Sequence, residues 1–371
     1  MKKIVRCYIV GFVLVLVLPY LVYLYVAKYL DIENHENHEL VTMQDVLDAS
    51  WNEKTIILED CINDHIPYKN ELTKLNTLVD INIFKSLDSQ SVLLGKDNWL
   101  FYKKDNCLED YCRVLSVSEE EIEDTIMSMQ NLQEYCDERG IELVYMVTPN
   151  KESIYGNLYM PDYVKVAEKT SRVETFLQNI NNETDINIIF PETELKEARD
   201  AGYQVYKKYD THWNQLGGYV GTMRLLEALK MDTQDLGALT VYSGNNITGD
   251  LANMIGMGTV YNDDIDYRLD GYKDNIQPEL IEERDEPNLK YSHYRTDIPD
   301  GKTIVCIGDS FLEATEEYLA KNYKESYFMH ISNYVEGTIE AADPDVIVIT
   351  STERAFPGLH WSIDNMLELC K

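Results

Sequence analysis

The chain has 371 residues, with 33 Lys and Arg against 65 Asp and Glu, for a formal net charge of −32. At roughly 100–200 residues per domain this is one large domain or two, and 44% hydrophobic with 26% charged residues rules out a disordered or collagen-like chain. The acidity excludes a nucleic-acid partner, because no basic surface is available to neutralise phosphates, and it disfavours broad docking on anionic lipid.

In chain order, Cys7 to Ala27 is an apolar run of 21 residues. As a helix it is long enough to cross a hydrocarbon layer of about 30 Å. A secretory signal core is shorter and ends in small residues, whereas this run ends Leu24-Tyr25-Val26-Ala27-Lys28. Residues 1–28 therefore read as an uncleaved signal-anchor transmembrane segment. Lys2, Lys3 and Arg6 precede the run, so the N-terminus is expected to stay cytoplasmic, with the rest of a single-pass cell-membrane protein extracellular. Residues 29–92 are polar and helix-leaning, with Trp51, Ile56, Ile57 and Ile62 as apolar anchors, and read as a juxtamembrane stalk. His35-Glu36-Asn37-His38 lacks the H-E-x-x-H spacing of a zinc site and reads as solvated chain. Cys107 and Cys112 are close enough in a polar loop for a local disulfide, which an extracellular location permits.

From residue 93 onward the pattern is that of an α/β domain. Trp99-Leu100-Phe101-Tyr102 reads as a short strand. Ser118 with Glu121 forms a capping box, and Ile122, Ile126, Met129, Leu132 and Cys136 recur at helical spacing up to Gly140. Ile141 to Thr148 is a nearly continuous apolar run stopped by Pro149, as in a buried parallel strand. Helices near Ser171–Ile180, Glu192–Ala201 and Asn214–Lys230 follow, with strands at Ile186–Phe190, Thr303–Ile307 and Val346–Thr350. The alternation predicts a three-layer α/β/α domain over 93–371 with a mainly parallel sheet. The stretch at about 236–300, rich in Asp, Asn, Gly and Tyr, breaks the rhythm and reads as an insertion.

Two segments carry chemistry. In Ile304-Val305-Cys306-Ile307-Gly308-Asp309-Ser310-Phe311 an apolar strand runs through Gly-Asp-Ser into a helix. That puts a hydroxyl at the carboxyl end of a strand, where open α/β sheets bind ligands, with the Ser310 N–H near the positive end of a helix dipole. The bland alternative is that Asp309 or Ser310 only caps the helix. In Tyr209-Asp210-Thr211-His212-Trp213-Asn214, Asp210 and His212 lie two apart, so the carboxylate can hold Nδ1–H while Nε2 serves as base for a serine. Asn150 and Lys151 follow one strand end and Arg354 another, and all three are candidates to touch substrate; Trp213 is a candidate to stack on a sugar ring. Asp263, Asp264, Asp266 and Asp270 hint at calcium, but Arg268 and Leu269 break any EF-hand register.

Together, Asp210-Thr211-His212-Trp213-Asn214 and Gly308-Asp309-Ser310-Phe311 resemble the SGNH-hydrolase-like domain of the alginate O-acetyltransferase family, with the reversed motif order of its DHHW-type members. Asn98–Tyr102, Pro149–Tyr155, Gly249-Asp250-Leu251-Ala252, and Pro344–Ile349 with Glu353-Arg354 follow in the family's order. The resemblance implies Ser310 as nucleophile, His212 as general base and Asp210 as its orienter, moving an acetyl group through an acyl-serine onto a cell-surface or secreted polysaccharide. It also implies a multi-span membrane acyltransferase partner that supplies the acetyl group. The triad needs neither metal nor organic cofactor, and none is expected. A carbohydrate acetyl esterase would use the same three residues with water as acceptor, and a catalytically silent glycan-binding assembly protein is the non-enzymatic alternative.

Overall fold

The computed structural model describes residues 5–6, 8–15, 17–18, 41–51, 53–64, 69–84, 86–87, 89–286, 289–334 and 336–370. The chain divides into two compact units, one formed by the residues up to 89 with 252–261, the other by 90–251 with 262–371. In the first unit, helices Met43–Asp48, Lys54–Asp64 and Lys69–Val79 are followed by a π-helical turn, Asp80–Phe84. Thr42 opens the first of them with a capping box through Asp45, and the Thr77 hydroxyl donates to the Ile255 carbonyl at 3.2 Å. Among the described residues no helix is long and apolar enough to cross a membrane. Of the expected anchor, only residues 5–6, 8–15 and 17–18 are described, and these are helical. The rest of it, and His35 to His38, lie outside the described residues.

The second unit is built on strands β1 (Val92–Leu94), β2 (Leu100–Tyr102), β3 (Glu142–Thr148), β4 (Ile188–Ile189), β5 (Thr240–Ile247), β6 (Asp264–Asp270), β7 (Glu279–Glu286), β8 (Leu289–Arg295), β9 (Thr303–Gly308), β10 (Glu325–His330) and β11 (Val346–Thr352). Seven of these form the central sheet, in the order β4-β3-β11-β9-β10-β8-β7. The helices that cover it are α1 (Glu119–Asp137), α2 (Lys151–Tyr159), α3 (Arg172–Glu183), α4 (Glu192–Asp200), α5 (Gln215–Ala228), α6 (Glu313–Ala320) and α7 (Leu359–Leu369). Side chains alternate across a strand, and two apolar layers result. Val144, Met146, Ile304, Cys306, Val346 and Val348 pack with residues of α2, α4, α5 and α6. Leu143, Tyr145, Val147, Val305, Ile307, Ile347 and Ile349 pack with α1, α3 and α7. Because both faces are covered, β3, β9 and β11 are continuous apolar runs in sequence.

The expected α/β/α layering is present, but the sheet is mixed. Pairing is parallel from β4 through β10 and antiparallel where β8 joins β10 and β7 joins β8. The departure comes from the stretch read as an insertion. Its hairpin β7–β8 adds to the sheet edge, and strands joined by a short turn can pair only antiparallel. The rest of that stretch supplies β5 and β6, which pair with each other as a separate ribbon. The local disulfide also fails: Cys107 and Cys112 are both thiols. Cys107 opens the short helix Cys107–Tyr111, and five residues of helix turn the two side chains about 140° apart.

Candidate active site

The site is assembled at the carboxyl ends of β3, β9 and β11. At the end of β9, Gly308 passes so close to β11 that a Cβ there would overlap the Thr350 hydroxyl. Asp309 then leaves the strand as cap of the 3-10 turn Ser310–Leu312. Its Oδ1 accepts the Phe311 N–H at 3.1 Å and its Oδ2 accepts the Thr352 N–H at 2.7 Å. Capping is thus the task of Asp309, which leaves the Ser310 hydroxyl available. The Ser310 N–H, at the first position of the turn, has no intrahelical acceptor.

The second segment, residues 206–213, is closed by a bridge between Tyr206 and Trp213. Asp210 Oδ1 accepts both the His212 backbone N–H at 2.8 Å and the His212 Nδ1 proton at 2.7 Å. With the proton held at Nδ1, Nε2 is the acceptor, and it stands 2.7 Å from Ser310 Oγ, 98 positions further along the chain. Burial works against the Asp210 charge, but the His212 hydrogen bond, then Lys207 and the His212 charge, outweigh it and hold the carboxyl well below the usual range.

The structure brings Ser310, His212 and Asp210 together and places the other four candidates differently. Trp213 is buried, 1% exposed. Its indole N–H donates to the Phe311 carbonyl at 2.8 Å and its ring packs on Phe311, so it ties the two segments together and has no face open to a sugar. Lys151 is also 1% exposed and buried behind residues 207–210, not open to substrate. Its Nζ donates to the carbonyls of Lys207, Lys208 and Asp210 at 3.4, 3.3 and 2.5 Å. Asn150 is buried, with its N–H on Glu353 Oε2 at 2.9 Å and its Oδ1 accepting from Arg354 Nη1 at 3.3 Å. Arg354 stays partly exposed, its guanidinium 5.5 Å from the centre of the Phe311 ring.

In the sequence Asp250 stands out only within Gly249-Asp250-Leu251-Ala252. In the structure its N–H donates to Asp210 Oδ2 at 3.0 Å, and its carboxylate accepts the Thr211 N–H at 2.8 Å and the Thr211 hydroxyl at 2.6 Å. The sequence signal was Gly249: a Cβ there would overlap the backbone of Tyr209 and Asp210. Asp210, His212 and Asp250 are the one group among the described residues whose ligand atoms are close enough for a metal ion. The nearest His–carboxylate contact in it is already closed as a hydrogen bond. Of the aspartates weighed for calcium, Asp264 accepts the Tyr209 N–H at 2.7 Å and the Gln204 amide at 3.2 Å.

Glu353, which holds Asn150, also accepts from Ser153 Oγ at 2.6 Å. Burial pushes its carboxyl from the ordinary 4.5 up to about 7, against the Ser153 and Asn150 hydrogen bonds. Since the folded state binds this proton more tightly than the unfolded chain, the group's contribution to stability is full below about pH 4.5. It is lost as pH rises to about 7, a change of about 3 kcal/mol. Glu316, half-buried beside Ser292 and Tyr294, is pushed up to about 7 in the same way. Glu353→Gln is therefore expected to make the fall in stability across this window shallower. Urea unfolding at a series of pH values checks it, and an unchanged slope would refute it.

A serine at a sheet end, an imidazole on its hydroxyl and a carboxylate behind the imidazole, on a three-layer α/β/α scaffold, are the arrangement that serine-hydrolase-type α/β proteins carry. Comparison with known proteins narrows the class. The chain belongs to the family described as the SGNH hydrolase-like domain of the acetyltransferase AlgX, whose model matches residues 92–287. That match contains Asp210 and His212 and ends before Ser310. The chain is 26% identical over 187 residues to the probable alginate O-acetylase AlgJ of Pseudomonas syringae pv. tomato, covering 50% of this chain and 44% of that protein. The match thus spans less than half the length of this curated relative. Among solved structures, the fold is similar to a DHHW family protein from Eubacterium siraeum, with a TM-score of 0.55 at 14% identity over 76% of this chain and 97% of that one. It is also similar to Bacillus cereus PatB1, with a TM-score of 0.51 at 15% identity over 71% and 96%.

Proposed function

We propose that this protein is a serine-dependent O-acetyltransferase that moves an acetyl group onto a polysaccharide hydroxyl. The 2.7 Å contact between His212 Nε2 and Ser310 Oγ carries the reading. Family membership and the relatives named alginate O-acetylase support transfer to a polysaccharide.

Ser310 Oγ attacks the acyl carbon of the donor as its proton passes to His212 Nε2, and the Ser310 N–H stabilises the oxyanion that develops. Collapse breaks the bond to the donor's leaving group, which takes the proton from His212. The acceptor hydroxyl then gives its proton to His212 and attacks the acetyl-serine, and collapse of this second adduct returns the proton to Ser310 Oγ and releases the ester. Asp210 keeps the proton at Nδ1 and stabilises the imidazolium in each half-reaction. Arg354, which is partly exposed and has no ion pair among the described residues, is the group we assign to substrate contact, with the buried Asn150 Oδ1 holding its guanidinium. On this reading the apolar run from Cys7 to Ala27 anchors the domain at the outer membrane face, where a multi-span acyltransferase supplies the donor acetyl group.

The test is incubation of the protein with 4-nitrophenyl acetate, with and without neutral and uronate oligosaccharides. The expected result is an acetyl group on the Ser310 peptide and on the oligosaccharide. Acetate release with no acetylated sugar from any acceptor would make the protein an esterase instead.

A further inference from the structure

We propose that Lys151 is a positioning residue: it clamps the segment carrying Asp210 and His212 from behind, and its positive charge balances the carboxylates gathered there. The inference rests on the triad reading above. A lysine is almost never fully buried without a partner, and here the partners are three main-chain carbonyls, one for each ammonium N–H. All three belong to residues 207–210, immediately before His212. The rings of Trp99 and Phe101 lie 5.9 and 5.5 Å from Nζ and complete its enclosure. An aliphatic side chain would fill the same space without the cost of desolvating a charge, so packing alone does not account for a lysine.

The anchor is rigid, because Lys151 opens α2 directly after the end of β3. The clamped segment lacks a sheet of its own. Its other backbone ties include the Tyr206–Trp213 bridge, the Leu100 N–H on the Lys208 carbonyl at 3.2 Å, and the Tyr209 and Thr211 N–H groups on the carboxylates of Asp264 and Asp250. The charged groups around Lys151 are Glu152 on its own helix, Asp250, Asp210 on the clamped segment and Asp264 on β6; they oppose the burial that drives its ammonium toward neutrality. None forms an ion pair with Lys151 among the described residues, so the charge acts through space on the whole group. Around His212 stand Asp210 at 2.7 Å, Asp250 at 3.8 Å, the Ser310 hydroxyl and the Phe311 ring. Two carboxylates therefore face one imidazole; the half-buried Lys207 on the segment itself also acts on Asp210, and Lys151 is the fully buried cation behind them.

The two roles make a signed prediction. In Lys151→Met the volume stays and both charge and donors go. Loosening the loop is expected to lower kcat for 4-nitrophenyl acetate about 10²-fold with little change in KM. Loss of the cation favours a proton on the imidazole, so the acidic limb of the rate profile over roughly pH 5–9 is expected to move up by about one unit. A purely structural lysine gives the opposite sign or none, since a loosened Asp210 contact lets the imidazole lose its proton more easily. Lys151→Arg keeps the charge, and its limb is expected to stay at the wild-type pH while kcat falls.

A limb in Lys151→Met that is unmoved or moves to lower pH, or kcat at the wild-type level, would overturn the proposal. Should that variant not fold, Lys151→Gln, which keeps two N–H donors and loses the charge, takes its place: a limb moved up supports the charge role, and a limb unmoved or moved to lower pH refutes it. Ser310→Ala runs beside them. If it keeps full activity the triad reading fails, and if it is inactive while the limb behaves otherwise than stated, only the role of Lys151 fails.

Discussion

Ser310→Ala is expected to leave no acetyl-enzyme and to lower kcat by about 10⁶-fold, the scale seen when the nucleophile of a serine–histidine pair is removed. The reason is local. Alanine has no atom to form the ester, and the hydroxyl of Thr211, next to His212, is engaged by the Asp250 carboxylate. His212 would then hold a base with no proton to take. Residual rate enhancement of about 10³ over water can persist from the oxyanion donor and binding. Stability is expected to stay within about 0.5 kcal/mol, because Ser310 is only partly buried and its hydroxyl meets nothing but the imidazole. Intact-mass analysis for the adduct, turnover and a melting curve check the three parts together. An alanine variant that still becomes acetylated would remove Ser310 from the mechanism.

Gly249→Ala is the second large effect, and it acts on fold and site at once. The new methyl would overlap the carbonyl of Tyr209 and lie 2.7 Å from the Asp210 nitrogen. Both are main-chain atoms, so no side-chain rotation relieves the clash, and one of the two segments must move. The segment that moves holds either Asp210 itself or Asp250, whose N–H bonds Asp210 and whose carboxylate holds Thr211. Overpacking of this kind costs about 1–3 kcal/mol. Displacement of the imidazole by about 1 Å is expected to lower kcat about 10²-fold. Thermal unfolding and turnover measure the two, and a variant with native melting and native rate would refute the close approach. Gly→Ala at an exposed, unstrained position is stabilising by about 0.4–1 kcal/mol, so the sign itself discriminates.

Much of the scaffold was legible because its causes are local. Ser118 and Ser171 each cap a helix and meet a glutamate three residues on, and both helices form as those patterns demand. The runs that became β3, β9 and β11 are apolar throughout because both sheet faces are covered. Asp210 and His212 could be paired from sequence because two residues of extended chain suffice to bring a carboxylate to Nδ1. The antiparallel edge was not legible: a polar hairpin carries no mark of which strand it will join. Lys151 and Trp213 were read from residue type as substrate contacts, and burial gave both to the interior. Arg354 follows Glu353 at one strand end, yet one remains partly exposed beside Phe311 and the other is enclosed behind Asn150.

The amino-acid order alone determined the strands β2, β3, β4, β9 and β11, the capping box at Ser118 and where an acid, an imidazole and a hydroxyl occur, since these follow from spacing over a few residues. Only the tertiary structure decided that Ser310 and His212 meet, that Asp250 braces Asp210, and that a buried lysine stands behind them. Those contacts join segments tens of residues apart, and their distances depend on how sheet and helices pack, which no short window of sequence contains.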